Sequence, residues 1–444
     1  MRYHVVTLGC PKNTVDSEMM AELLRRAGHL LVSAPRRADV IIVNTCGFIE
    51  AARTESYGAL RALAEKKRRG QKLVAVGCLA QRYGDEVRRH VPEVDAVLGT
   101  QAWPEIVSLV ARLAGEEAPA PILSGRPEEL VASISRRVAL PTLGGGPSAY
   151  IKIADGCDAA CAFCAIPLIK GPQRSKPRVD VVREARELGA RGVREAVLIA
   201  QDTTAYGRDL GERDALPGLI RAILAEAPDI DWLRLLYAYP QNVSADLIAV
   251  MAEEERVCRY LDLPLQHAHP DVLRRMRRPH DIDEVYRLIT RLREAMPDVA
   301  LRSTFIVGFP GETEAEFEAL LAFLRAMQLD RVGVFAYSAE VGTAAAEMPD
   351  RVPAEVAAER YERAMLVQQE VSLARNRAQV GRVLPVLIEG TGDGLSVGRS
   401  YREAPEVDGL VLVPGELTVG ALVRARIVAA KEYDLIAEAL QPNV

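Results

Sequence analysis

Apolar positions along the first 110 or so residues follow two alternating periods. Strand-length apolar runs, RYHVVTLG, DVIIVNT, KLVAVG and AVLG, alternate with stretches whose apolar residues recur every three or four positions. Those stretches are TVDSEMMAELLRRAG, about 48–67 and about 82–90. The alternation predicts a doubly wound parallel α/β sheet with helices on both faces. From 149 to 374 the theme recurs with six strand-like runs: AYIKIA, EAVLIA, WLRLLYA, RYLDLPL, ALRSTFIVG and RVGVFAYS. Helical segments separate them, among them PRVDVVREARELGA, LPGLIRAILAEA, VSADLIAVMAEEE and EAEFEALLAFLRAM. Six strand–helix repeats predict an incomplete (β/α)6 barrel with its chemistry at the C-terminal ends of the strands. The final stretch, RVLPVLIEG, LVLVPGE, LTVGALVRARIVAA and KEYDLIAEAL, reads as short β segments with Gly and Pro turns, a small β-barrel. GEEAPAPILSGRP and LPTLGGGPSA form a Pro- and Gly-rich joint. The expected multidomain α/β organisation is 1–114, a linker 115–148, the barrel 149–374 and the small barrel 375–444.

Composition narrows the function classes. The 444 residues, 49% hydrophobic and 26% charged, suit a soluble protein of several domains. A net charge of −5 and a pI near 5.9 exclude a global field that recruits nucleic acid. MRYHVVTLGCPKN lacks the apolar stretch of a signal peptide, and no run approaches a membrane span. Seven cysteines in such a chain argue for reduced thiols and metal rather than disulfides, and a cytoplasmic location is expected.

Three of those cysteines, Cys157, Cys161 and Cys164, lie in CDAACAFC just past the first barrel strand. A CxxxCxxC loop can hold three corners of an iron–sulfur cube and leaves the fourth iron open for a substrate or cofactor. Structural zinc is the competing reading, but zinc favours four protein ligands in CxxC pairs, and neither His nor a fourth Cys lies close by. A second set comes from the fold: Cys10, Cys46 and Cys78 each fall just past a predicted strand of the first sheet, each beside a glycine. Ligands in open parallel sheets bind at the carboxyl ends of strands, so cysteines 36 and 32 positions apart should converge on one edge. The alternative is three buried, inert core thiols. Asn13 and Asn44 lie near enough to donate hydrogen bonds to cluster sulfurs, or to act as caps. Cys258, at the start of a strand, reads as core. His267 and His269 in QHAHP read as loop residues, and EKKRRG and RRMRRP as solvated helix ends, the latter near the barrel mouth.

CxxxCxxC after the first strand of a six-repeat barrel resembles the radical S-adenosylmethionine (SAM) enzymes. GCPKN with Cys10, Cys46 and Cys78, together with a tail resembling a TRAM domain, is similar to the methylthiotransferases over essentially the whole chain. QDTTAYG, LRLLYAYP, YLDLPLQH, FAYSAEVGTAA and REAPEVDGLVLV look like the RimO type, which modifies an aspartate of ribosomal protein S-twelve. The tRNA-modifying branch has a QNVNSYG-like segment where this chain reads QDTTAYG, and GRERSRP where it reads KGPQRSKP. The resemblance implies two 4Fe-4S clusters, one on Cys157, Cys161 and Cys164 that binds SAM, and an auxiliary one on Cys10, Cys46 and Cys78 that carries sulfur. It implies SAM as both methyl donor and radical source, and an electron donor such as flavodoxin or ferredoxin. It places Phe163 near the adenine, or in ordinary loop packing. Gln201 and Asp202 would take the position of a SAM-contacting motif from which they depart. Gly308, Gly311 and Glu312 match another strand-end segment near the cofactor, or form the turn and first helical residues after that strand.

The tail bears on the substrate. From Asn376 to Val444 there are seven Lys plus Arg and nine Asp plus Glu. Gripping RNA phosphates calls for a basic patch, so a mildly acidic module suits a basic ribosomal protein better, unless Arg399, Arg402, Arg424 and Arg426 gather on one face. A tRNA methylthiotransferase acting on a modified adenosine beside the anticodon is the alternative within the class. A non-enzymatic iron–sulfur carrier is the alternative outside it, and predicts fully ligated clusters.

Overall fold

The computed structural model describes residues 1–115, 122–123 and 145–440. Most of the expected linker lies outside the described residues. The chain forms two compact units that do not follow its linear order. The first combines residues 1–143, 152–184 and 338–346; the second combines 144–151, 185–337 and 347–444.

The first unit is built on a six-stranded parallel sheet of β1 (Arg2–Thr7), β2 (Leu30–Leu31), β3 (Val40–Thr45), β4 (Lys72–Gly77), β5 (Ala96–Gly99) and β6 (Ile122–Leu123), in the order β2-β1-β3-β4-β5-β6. VIIVNT, buried along its whole length, forms the central strand β3. That is the signature of a strand covered on both faces. Strand order reverses between β1 and β3, the switch point where open α/β sheets open a crevice at their carboxyl ends. The crossovers are α1 (Pro11–Arg26), α2 (Glu50–Glu65), α3 (Cys78–His90) and α4 (Ile106–Ala114). α3 starts at Cys78, four residues before the expected Arg82, and breaks its helical geometry at Tyr83 (φ −132°, ψ 34°). The Gly77 turn lets the helix begin the moment the strand ends.

This unit also contains a short ladder of β8 (Ala154–Asp155) against β9 (Arg174–Ser175), followed in space by the helix Ile166–Lys170. The antiparallel pair closes the base of the loop that carries Cys157, Cys161 and Cys164.

The second unit holds the six strands expected of the barrel, in sequential order: β7 (Ser148–Lys152), β10 (Glu195–Ile199), β11 (Trp232–Leu235), β12 (Val257–Asp262), β13 (Ala300–Val307) and β14 (Arg331–Ala336). Neighbours from β10 to β14 pair in parallel, and the first and last strands are not partners, so the barrel is incomplete. The tail closes as a five-stranded barrel, β15 (Val383–Gly392), β16 (Leu395–Arg399), β17 (Val411–Pro414), β18 (Leu422–Ala430) and β19 (Leu435–Ala439), around Val386, Ile388, Val413, Ile427 and Leu435.

Two elements of this unit were not expected from the sequence, the strand β16 and the 24-residue helix Ala354–Arg377. That helix buries Arg360, Gln368, Ser372 and Asn376 beside Ala364 and Val371, so its inner face carries no continuous apolar stripe. Buried ion pairs fasten the tail to the barrel inside this unit. Glu195 of β10 receives Arg234 Nε at 2.7 Å and Arg399 Nη2 at 2.5 Å. Arg402 reaches Asp330 at 2.5 Å. Arg399 and Arg402 are therefore internal, and only Arg424 and Arg426 of the four tail arginines are exposed. No basic face forms from the four.

Candidate functional site

Cys10 lies three residues beyond β1 and caps α1, Cys46 directly follows β3, and Cys78 opens α3 directly after β4. Close approach of backbone brings them together. Gly9 has φ +91°, and a Cβ there would stand 2.7 Å from Cys46 Cβ, so only glycine fits. Gly77 (φ +99°) makes the corresponding turn before Cys78. Asn13 braces all three strand ends: its amide donates to Leu8 O at 2.8 Å and Thr45 O at 3.3 Å, while its carbonyl oxygen accepts from Cys78 Sγ at 3.8 Å. Asn44 donates to Asn13 O and Ser17 Oγ. The two asparagines thus hold backbone rather than donate to sulfur. Ser56 clips Cys46 by accepting from its N–H and donating to its carbonyl.

Cys46 and Cys78 feel the neighbouring thiols. Burial pushes Cys78 up to about 12, with Lys170 pulling it down and Cys10 and Cys46 pushing it further up. Burial raises Cys46 as well, with Cys10 again contributing. Raised thiols such as Cys46 and Cys78 favour the protonated form, and binding a metal displaces that proton. Three soft donors at neighbouring strand ends, two of them buried and Cys10 half-buried, are the donor type that a cluster bound at three corners uses.

The second cysteine set has a different surrounding. Cys157, Cys161 and Cys164 are half-buried. Backbone N–H groups already point at two of their sulfurs: Ala159 N donates to Cys157 Sγ at 3.4 Å and Ile166 N to Cys164 Sγ at 3.5 Å. Hydrogen bonds of this kind stabilise anionic sulfur and tune a cluster's potential. Phe163 sits half-buried in the same loop. No disulfide forms among the described residues, which include all seven cysteines.

Both sets belong to the first unit and are packed against each other's supports. Cys78 shares a buried apolar contact with Ala165 and Ile169, the residues that follow Cys164. Gln101 Nε2 donates to Ile169 O at 2.9 Å. Next to them lies a closed square of charge. Lys170 Nζ is 3.0 Å from Asp16 Oδ2 and 3.3 Å from Asp155 Oδ2, and Lys152 Nζ pairs with the same two carboxylates. All four side chains are 2–4% exposed. The segment 338–346 joins the unit through Glu340, which binds Arg53 and Arg82, and through Ala345 N donating to Ala162 O at 2.8 Å.

In the second unit the other expected residues stand at strand ends. Asp202 is buried, and its Oδ1 accepts from Thr204 N at 2.9 Å and Ala205 N at 3.2 Å while Oδ2 takes the Asn242 amide at 3.0 Å. Burial raises its pKa against those bonds. Its carboxylate therefore shapes the turn after β10; Gln201 beside it is partly exposed. Glu312 is committed too: Oε1 takes His267 Nε2 at 3.1 Å, and Oε2 takes Gly308 N and Arg360 Nη1. His267 Nδ1 accepts from His269 N, which leaves the ring proton on Nε2. Gly308 (φ +72°) packs so closely on Ala357 that a Cβ would approach its Cβ to 2.5 Å. Gly311 also has positive φ. His269 caps the helix Pro270–Arg275, and Cys258 is buried in β12, its thiol pushed up to about 12.

Backbone strain marks two further strand-end residues, Tyr237 in LRLLYAYP and Gln266 in QHAHP. Both hold left-handed backbone (φ +63° and +74°) just past β11 and β12, where a side chain larger than glycine pays in strain.

Comparison with known proteins matches this arrangement. Residues 2–99 match the uncharacterized protein family UPF0004, 151–324 the radical SAM superfamily and 380–440 the TRAM domain. Among solved structures, the radical S-adenosylmethionine methyltransferase TsrM from Kitasatospora setae is similar at TM-score 0.58 and 14% identity, over 85% of this chain and 90% of that one. At that identity the likeness concerns the fold. The protein named ribosomal protein uS12 methylthiotransferase RimO from Chloroflexus aurantiacus is 52% identical over 99% of this chain and 100% of its own length. Its namesakes from Herpetosiphon aurantiacus and Desulforudis audaxviator are 49% and 50% identical over 99% of the chain. With such identity across the full length, and a radical-SAM barrel between a cysteine-bearing sheet and a TRAM barrel, the chain belongs to the RimO family of radical-SAM methylthiotransferases.

Proposed function

We propose that this enzyme inserts a methylthio group at the β-carbon of an aspartate in ribosomal protein S-twelve, with Cys157, Cys161 and Cys164 holding the SAM-binding 4Fe-4S cluster and Cys10, Cys46 and Cys78 the auxiliary one. The observation that carries it is the presence of two separate three-thiol sets within one compact unit, each one ligand short of a closed cube. A fully ligated carrier has no use for that shortfall. When bound, the two clusters supply an electron for cleaving SAM and a sulfur held at an open iron.

The chain's own residues provide the positioning. Asn13, Gly9 and Ser56 bring three distant strand ends to one edge, and the N–H groups of Ala159 and Ile166 support anionic sulfur. Holding the sulfur store at a fixed distance from the radical source is what insertion at an unactivated C–H bond requires. Phe163 in the first unit, and Gln201, Asp202, Gly308, Gly311 and Glu312 in the second, are each carried in this reading as SAM contacts implied by the family resemblance. Asp202 and Glu312 act through the turns they cap, since their oxygens are already engaged. An electron donor of the flavodoxin or ferredoxin kind and a cytoplasmic location go with this function. Among the described residues no helix is long and apolar enough to cross a membrane.

The substrate preference rests on the RimO relatives and on the tail, whose Arg399 and Arg402 are engaged internally. The test is incubation of reconstituted protein with reductant, sulfide and SAM, with an S-twelve loop peptide in one vessel and tRNA in another. A methylthio mass gain on the peptide is expected. A gain on tRNA alone overturns the assignment in favour of the tRNA-modifying reading.

A further inference from the structure

The SYREAPEVDG stretch joins β16 to β17 and runs into the barrel of its own unit. It enters at the N-terminal strand ends. There Tyr401 donates to Asp298 O at 3.0 Å and Arg402 pairs with Asp330, just before β13 and β14. Further in, Asp408 accepts from the Tyr260 hydroxyl of β12 at 2.7 Å and lies 3.5 Å from Arg302 Nε of β13. Tyr150 of β7 donates to Pro405 O at 3.2 Å and to Glu406 Oε2 at 3.3 Å. These contacts lie on the lumen side of the strands. Phe305 packs edge-to-face on Phe323 of the helix Glu314–Met327, so by alternation Arg302 and Thr304 point the other way, inward. The lumen is open: Phe335 of β14, which with Arg302 and Thr304 stands within 4.0 Å of a Cβ built on Gly333, is 50% exposed.

The three acids of this stretch are used differently. Glu403 receives Arg331 Nη2 at 3.2 Å and takes both the N–H and the hydroxyl of Ser400. Asp408 takes Ala404 N at 2.9 Å besides Tyr260 and Arg302. These two hold the loop. Glu406 has no cationic partner among the described residues; it is exposed and sits on left-handed backbone at φ +66°. Arg399, whose charge reaches Tyr150, is already shared by Glu195 and Glu389. Burial, then Glu406 and Tyr237, raise the Tyr150 hydroxyl far above its ordinary pKa, so it stays a donor to Glu406. Strained backbone persists where surrounding contacts over-determine it, and such residues cluster at binding and catalytic sites.

We propose that Glu406 reads the protein substrate: its carboxylate pairs with a lysine or arginine side chain that flanks the target aspartate. The proposal rests on the methylthiotransferase reading above. A carboxylate fixed by Tyr150 on a braced turn needs little further ordering to pair, and a basic ribosomal protein supplies the cation.

Full-length reconstituted protein with SAM, sulfide and reductant is assayed over a range of S-twelve loop peptide, giving KM and kcat. Glu406→Gln is expected to raise KM about fivefold or more with kcat close to wild type, the pattern of a lost binding contact. 5′-Deoxyadenosine formed without peptide should not change. The basic residues flanking the aspartate are then replaced one at a time by norleucine. At one position the replacement should raise KM for the wild type and not for Glu406→Gln, as direct pairing demands. Glu416→Gln, the same charge loss in the exposed turn after β17, should leave KM unchanged. If Glu406→Gln melts early, Glu406→Asn, which tolerates left-handed backbone, gives the neutral comparison. Unchanged KM in a folded variant, or additive effects at every peptide position, overturns the proposal. A wild type that leaves the peptide unmodified overturns the reading beneath it, and the proposal with it.

Discussion

Lys170 Nζ stands 3.0 Å from Asp16 Oδ2 across 154 positions of sequence, both side chains almost fully buried. Asp16 sits on α1, one turn and a half beyond Cys10, and Lys170 ends the helix that starts two residues after Cys164. One ion pair therefore links the supports of both cysteine sets. A buried pair is poor evidence of stability as such, but removing a single partner strands a charge.

Lys170→Met should accordingly lower the unfolding free energy of the first unit by about 3–5 kcal/mol. Asp16→Asn with Lys170→Met should cost less than the two single changes added together, because the square then keeps one cation and one carboxylate. Chemical denaturation of the four proteins measures the coupling, and strict additivity would refute a shared network.

Substitution within either triad should remove one cluster and spare the other. Wild-type protein is expected to carry about eight irons, and Cys161→Ala and Cys78→Ala about four each. Cys161→Ala should abolish 5′-deoxyadenosine formation. Cys78→Ala should still cleave SAM while yielding no methylthio product. Iron assay and chromatography of the nucleoside decide this, and cleavage surviving Cys161→Ala would contradict the assignment.

Gly9→Ala places a methyl group against Cys46 at a backbone angle that L-residues avoid. Left-handed strain and the clash together predict a loss of at least about 2 kcal/mol and a weakened auxiliary site. The visible absorbance retained after desalting should fall toward that of Cys78→Ala. Full retention with unchanged stability would show that the turn tolerates a side chain.

Glu195 should make the second unit acid-sensitive. Burial raises its pKa, but Arg399 and Arg234 outweigh it and hold the carboxyl down to about 2 from an ordinary 4.5. A lowered folded-state pKa contributes stability that is complete above the unfolded value. That contribution fades as pH falls from about 4.5 toward 2, for a total of about 3 kcal/mol. Urea midpoints of wild type should drop over that interval, and Glu195→Gln should show a shallower dependence. Equal slopes would assign the acid sensitivity to other groups.

Much of this protein is legible along the chain. CDAACAFC needs only its spacing to suggest a three-cornered cluster, and the alternation of strand and helix periods implies both parallel sheets. Cys10, Cys46 and Cys78 could be assigned to one edge because parallel strands present their C-termini together. The helix Ala354–Arg377 escaped notice because Arg360, Gln368, Ser372 and Asn376 interrupt the apolar residues of its inner face, and periodicity detects apolar stripes, not satisfied polar ones.

Residue identity and local period thus determined most of the elements and the family. Only the tertiary structure decided that the CxxxCxxC loop packs with the N-terminal sheet, that Asn13 braces backbone instead of sulfur, and that Arg399 and Arg402 face inward. The reason is physical: hydrogen-bond partners and ion pairs are chosen by proximity in space, and a sequence shows which groups need partners without showing which will be near.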